Sequence, residues 1–200
     1  MTDPHAQPIK AKPVPPKPIP PRPGPGAAKA RLDEILRVDQ AGEVAAVHIY
    51  RAQAAVFAAS PATAGLARRM EALGAQEAEH LAAFDRLLTE RRARPSLLSP
   101  VWRLAAFALG AGTALMGESA AHACTEAVES VIEEHYADQI NELRDTEPAL
   151  SDALSRFRDD ELVHKAEAVA QGAHGAPAYP LLTAVIRAGC RAAIMTAEKI

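Results

Sequence analysis

Glutamates stand where a helical chain should bury apolar side chains, and any fold for this sequence has to explain them. From Ala27 to about Ala59, Leu36, Gln40, Glu43, Val47, Tyr50, Ala54 and Phe57 recur at the three- and four-residue spacing of one helix face. From about Ala62 to Arg92, Leu66, Met70, Leu73, Glu77, His80, Phe84 and Leu87 do the same. A third stripe follows Gly117 to about Arg144, with His122, Thr125, Glu129, Ile132, Tyr136, Ile140 and Leu143. A fourth, about Ala149 to Gln171, carries Leu150, Leu154, Phe157, Glu161, His164 and Ala168. A carboxylate inside such a stripe costs several kcal/mol, of order, unless it is paired or binds a metal.

The pattern repeats. A lone Glu on one helix precedes Glu-x-x-His on the next, as Glu43 then Glu77 and His80, and as Glu129 then Glu161 and His164. Residues at i and i+3 share a helix face, so each unit can aim three ligands at one point in a bundle core. With 16 Glu and 7 His in 200 residues, chance supplies roughly 0.6 such pairs, so one means little and two in matching phase mean metal. Four carboxyls and two imidazoles suit iron or manganese better than a thiolate-loving ion. Two divalent ions would neutralise four buried glutamates.

Alanine and leucine dominate, aromatics are 4%, and strand-like runs are missing, which argues for an all-α protein. Residues 1–26 hold 10 of the 16 prolines and read as a disordered tail, with the folded domain at 27–200. Residues 1–30 carry a net +4 and the remainder −7, so nucleic acid is not an expected partner. Cys124 and Cys190 read as buried, reduced thiols. The stretch 104–117, LAAFALGAGTALMG, is uncharged but spans about 21 Å as a helix, short of a bilayer core. It reads as a short apolar helix at a membrane interface, a partner surface or a core, and a last helix covers Leu181–Met195.

Other polar residues have plainer readings. Glu126, Glu133 and Glu134 fall off the stripe and read as solvated, with Glu126 a fallback ligand. His48 and His174 read as surface or loop residues, and His122 and His135 as interior hydrogen-bonding groups. Asp39, one turn before Glu43, is a candidate to orient a ligating His. Tyr136 reads equally as core packing or as a group acting beside the metal, and with His135 it is the candidate catalytic pair.

The stretches RVDQAGE (Arg37–Glu43), EAEH (Glu77–His80), FALGAGTALMG, ACTEAVE (Ala123–Glu129), EHY, FRDDELVH (Phe157–His164), APAY and AGCRAAI closely resemble the demethoxyubiquinone hydroxylases of ubiquinone biosynthesis, from about residue 31 to the C-terminus. The resemblance implies a ferritin-like four-helix bundle with an additional short apolar helix and a C-terminal helix. It implies two iron ions per chain, held by Glu43, Glu77, His80, Glu129, Glu161 and His164, that use O2 and two electrons to hydroxylate a prenylated demethoxyquinone. Ser130 departs from the family pattern, where a second Glu is expected. No nucleotide-binding fingerprint in the chain encodes the electron donor, and the electrons are expected from NADH acting directly with quinone mediation or from a separate reductase. A peripheral position on the cytoplasmic side of a bacterial inner membrane is expected, with the matrix side of the mitochondrial inner membrane as the alternative. An accessory lipid-binding protein is a further expected partner. A ferritin-like ferroxidase would use the same six residues, but it has no need of the stretch 104–117.

Overall fold

A computed structural model describes residues 24–199, with side chains from Gly26 onward. Six helices account for nearly all of them: α1 Gly24–Ala58, α2 Ala64–Arg91, α3 Ser99–Leu115, α4 Glu118–Leu143, α5 Pro148–Ala170 and α6 Tyr179–Ala197. There is no strand among the described residues. The tail expected at 1–26 lies outside them except for Gly24–Gly26, which open α1 instead of remaining extended.

The breaks fall where the sequence places turn residues. Ser60 caps a short 3-10 turn, Pro61–Thr63, by accepting a hydrogen bond from the Ala62 amide. Arg92 ends α2 in the left-handed conformation. Gly117 and Gly172, both at positive φ, separate α3 from α4 and close α5. The apolar helix α3 begins five residues before the uncharged stretch, because Ser96 organises its start: the Ser96 hydroxyl meets the Leu98 amide and the Trp102 indole.

α1 and α2 pack as one hairpin and α4 and α5 as another, with the hairpin backbones standing farther apart across the middle of the bundle. α3 lies on α1, and α6 on α4. One end of the bundle is filled by large side chains, among them Leu36, Phe84, Leu143 and Leu154. Burying each contributes on the order of 2 kcal/mol. The other end packs Tyr50, Phe57 and Met70 against small residues such as Ala114 and Ala121.

Single-face periodicity understates α4. It is buried all round from Ala120 to Val131, because α3 and α6 cover the side that a plain four-helix bundle leaves wet. At Gly110 α3 comes so close to α1 that a Cβ would collide with the Ile49 backbone. α6 alone among the described helices is long and apolar enough to cross a membrane by length and composition.

Candidate metal centre

Glu43 on α1, Glu77 and His80 on α2, Glu129 on α4, and Glu161 and His164 on α5 are all buried, and they meet between the hairpins. Their ligand atoms fall into two groups, each within 4.8 Å: Glu43, Glu77, His80 and Glu161, and Glu77, Glu129, Glu161 and His164. Glu77 and Glu161 belong to both groups. The two positions are therefore joined by shared carboxylates, one from each hairpin.

Both imidazoles aim Nδ1 inward. His164 Nδ1 stands 3.0 Å from Glu77 and 3.3 Å from Glu161, and His80 Nδ1 3.4 Å from Glu161 and 3.6 Å from Glu77. None of these approaches lies along a hydrogen-bond line, so both Nδ1 atoms, both Glu161 oxygens and one oxygen each of Glu77 and Glu129 lack a bonding partner. No Lys or Arg among the described residues pairs with these four carboxyls.

The electrostatics point the same way. Burial pushes the Glu43 and Glu129 carboxyls well up, and the neighbouring carboxylates push them further. Burial would push both imidazoles down, yet Glu161 and Glu77 outweigh it and hold His80 at about 11 and His164 at about 10. Burial would raise Glu77, but the two imidazoles bring it to about 2. A cluster that pulls protons onto imidazoles this strongly is short of positive charge. Oxygen and imidazole donors lacking partners, in a site short of cations, fit metal ions.

A second layer holds the first, and it is reciprocal. The Tyr50 hydroxyl on α1 donates to Glu129 on α4 at 2.9 Å, and the Tyr136 hydroxyl on α4 donates to Glu43 on α1. His80 Nε2 meets Asp160 at 3.1 Å, and His164 Nε2 meets the Gln76 side-chain oxygen at 2.9 Å. Each hairpin thus steadies the other's histidine, leaving Nδ1 free to face the centre. Sequence reasoning missed Gln76 and Asp160, although each directly precedes the Glu of a Glu-x-x-His unit. It also missed Tyr50 as a partner, although Tyr50 follows Glu43 by the same seven residues that separate Tyr136 from Glu129.

Several expectations need correction. Asp39 orients neither ligand-type histidine: it accepts from Gln139 at 2.8 Å and lies 3.3 Å from His135 Nε2. Glu126 is neither solvated nor near the cluster. It is buried where α6 covers α4, accepts from Tyr179, and has Arg187 at 3.6 Å. Glu133 is half-buried between Arg158 and Lys165. His48, expected at the surface, is half-buried with Nδ1 on the Val44 carbonyl oxygen, whereas His174 is exposed, as expected, and packs its ring on Tyr179. His122 is buried, as expected, beside Glu118.

A cavity of about 400 Å³ lies between α1, α3, α4 and α6. Its walls are apolar, from Trp102, Ala106, Leu109, Ile132, Ile186 and Ile194, with small positions at Ala105, Gly189 and Ala193. Its polar groups are few: Asp39, Glu43, His135 and Tyr136. The candidate catalytic pair therefore lines a cavity that also reaches Glu43. Beside it, α3 and α6 expose Val101, Leu104 and Phe107, and Leu181 and Val185.

Residues 30–197 match the family model described as ubiquinone biosynthesis protein COQ7. The chain is 49% identical over 177 residues to the 3-demethoxyubiquinol 3-hydroxylase of Rhodospirillum rubrum, covering 88% of this chain and 82% of the relative. It is 41% identical over 177 residues to the human NADPH-dependent 3-demethoxyubiquinone 3-hydroxylase, mitochondrial, covering 86% and 80%. It is 40% identical over 189 residues to the Saccharomyces cerevisiae 5-demethoxyubiquinone hydroxylase, mitochondrial, covering 87% and 80%.

Proposed function

The chain belongs to the ubiquinone biosynthesis protein COQ7 family, and on that premise we propose that it hydroxylates the ring of a prenylated demethoxyubiquinone, or its quinol, at a pair of iron ions held by Glu43, Glu77, His80, Glu129, Glu161 and His164. The observation that carries the reading is the meeting of two features at Glu43: a buried carboxylate and imidazole cluster with two joined positions, and an apolar cavity with a few polar groups at that cluster. A ferroxidase would use the cluster but has no use for the cavity.

When bound, the iron pair supplies O2 binding and redox chemistry that no side chain here can perform. The reaction consumes O2, two electrons and two protons, placing one oxygen on the ring and the other in water. The chain's own contribution is placement and dryness. The apolar walls take the ring and the first part of the prenyl tail and exclude water. Asp39 and Gln139 hold His135 at the cavity wall, where it can meet a ring oxygen and carry its proton. Tyr136 holds Glu43 in place and sits where the ring must approach the cluster. Reduced nicotinamide is the electron source, on the descriptions of the mitochondrial relatives.

The substrate's tail favours attachment at the periphery of a membrane, with α3 and α6 against the lipid and the cavity between them. α6 lies along the bundle, because Arg187 and Arg191 tie it to Glu126 and Glu134 of α4. The cytoplasmic side of a bacterial inner membrane is the location proposed. With labelled dioxygen and a demethoxyquinone, the product should carry one labelled hydroxyl oxygen, from protein that holds about two irons per chain. Unlabelled product, or stoichiometric zinc in place of iron, overturns the reading.

A further inference from the structure

Toward the N-terminal end of α4, between α1 and α4, a file of buried polar groups leads from the surface to the cluster without touching the cavity. Glu118 is 58% exposed at its side chain, and its carboxylate lies 3.8 Å from His122 Nε2, on a side chain only 3% exposed. Thr125 follows one turn along the same face of α4, and its hydroxyl neighbours that of Tyr50, whose phenol burial keeps protonated. Gln53, one turn beyond Tyr50 on α1, donates to the Ala121 carbonyl oxygen. Tyr50 donates to Glu129. None of the four buried residues lines the cavity.

Three atoms in this file, His122 Nε2, Thr125 Oγ1 and Gln53 Oε1, are buried without a hydrogen-bond partner. Each such group costs about 1–3 kcal/mol unless it is met. Tyr50 packs here against small residues, among them Ala54 and Ala121. Water is the partner of the right size and chemistry for several converging polar atoms in a small-residue setting.

We infer that Glu118, His122, Thr125, Gln53 and Tyr50 form a water-assisted route for protons from solvent to the metal cluster. The inference rests on the hydroxylase reading, which supplies the demand. Ring C–H, O2, two electrons and two protons become ring C–OH and water; reduced nicotinamide gives the electron pair with one proton, and the second proton comes from solvent. A prenylated substrate seated in an apolar cavity blocks that side, so the proton enters from the other. His122 suits the entrance. Its ring carries two nitrogens, one able to receive a proton while the other releases one, and burial, with Arg69 on α2 against the pull of Glu118, pushes the imidazole down, toward its neutral form. Beyond it, hydroxyls pass one proton as they receive another, so neither Tyr50 nor Glu129 has to change charge.

The test uses the full-length, iron-loaded chain with a short-tailed demethoxyquinone. His122→Leu, which keeps the volume and removes the relay, should lower kcat about tenfold or more while leaving the quinone KM and the iron content unchanged. Its solvent deuterium isotope effect should rise. Glu118→Gln, at an exposed position, should fold normally and move the pH profile with a fall of about two- to threefold. Proton uptake, followed with an indicator dye when the reduced protein meets O2 without quinone, should slow in both variants. If both keep wild-type isotope effects and uptake rates while the wild type forms labelled product, the route is wrong and the hydroxylase reading stands. If the wild type forms no labelled product, the hydroxylase reading itself fails.

Discussion

Glu43 on α1 and Glu129 on α4 each precede a tyrosine by seven residues and a glutamine by ten, giving Tyr50 and Gln53 on one helix and Tyr136 and Gln139 on the other. In each half the tyrosine reaches across to the other helix's glutamate. The halves then diverge at matching positions: Ile49 against His135, Asp39 against Thr125, and Leu36 against His122. The half around Tyr136 pairs His135 with Asp39 beside an apolar cavity and ends in a core of large side chains. The half around Tyr50 packs Phe57 and Met70 against small residues such as Ala114 and Ala121, and none of these side chains lines the cavity. The framework of glutamates, histidines and tyrosines is duplicated and its flanks are divided, with an apolar cavity on one side and the proposed proton route on the other.

The largest effect tests the duplicated part. Glu77→Ala removes a carboxylate common to both groups, so the protein should lose both irons and all measurable hydroxylation, whereas Glu129→Ala should retain about one iron and no turnover. Metal analysis of the two proteins decides it, and two irons in Glu77→Ala would show that the positions are independent. The division is tested next by Tyr136→Phe and Tyr50→Phe, which each remove one hydroxyl and keep the ring. Loss of a group that orients a ligand typically costs about 10–100-fold, and both should fall in that range, with the solvent deuterium isotope effect rising in Tyr50→Phe, whose hydroxyl ends the proton route, and staying at the wild-type value in Tyr136→Phe. Equal isotope effects, measured on kcat with iron content controlled, would erase the distinction.

Within the cavity-facing half, Gly189→Leu should raise the quinone KM about tenfold at unchanged iron content, by filling space that the ring needs. A Cβ there has nothing within 4 Å, so the added side chain starts in open space. The smallest effect concerns the metal-free protein. His80 and His164, raised to about 11 and about 10, stabilise fully below their ordinary 6.5, and that stabilisation disappears as pH rises through the raised values. Glu43 and Glu129, raised above their ordinary 4.5, likewise lose stabilisation as pH rises. Glu77, lowered to about 2, acts oppositely and loses its share only as pH falls through that value. Between about pH 6 and about pH 10 the melting temperature of the metal-free protein should drop by several degrees, and ferrous iron should flatten the slope. A flat metal-free curve would contradict the charge balance described for the cluster.

The helices and the converging residues were legible because a buried carboxylate violates a strong periodic rule and so marks itself. The supporting layer was harder to see. Gln76 and Asp160 sit at positions that a helix facing water also fills with polar residues, and only the opposite hairpin reveals their purpose. Glu126 was misjudged for a related reason: one-face periodicity treats the far side of α4 as wet, whereas α6 covers it. Asp39 was placed one turn from Glu43 correctly, but its partner arrives from α4, a hundred residues away, and no local spacing encodes that meeting.

The crossing of the histidine supports has a consequence for how the protein can be assembled. Neither hairpin alone holds the partner that orients its cluster histidine, His80 or His164, nor the glutamate that its tyrosine, Tyr50 or Tyr136, meets. Severed in the linker between α2 and α3, the chain would become two inert fragments whose ability to capture iron returns only on mixing. Such complementation would make ion uptake a direct report on the reunion of the two pieces.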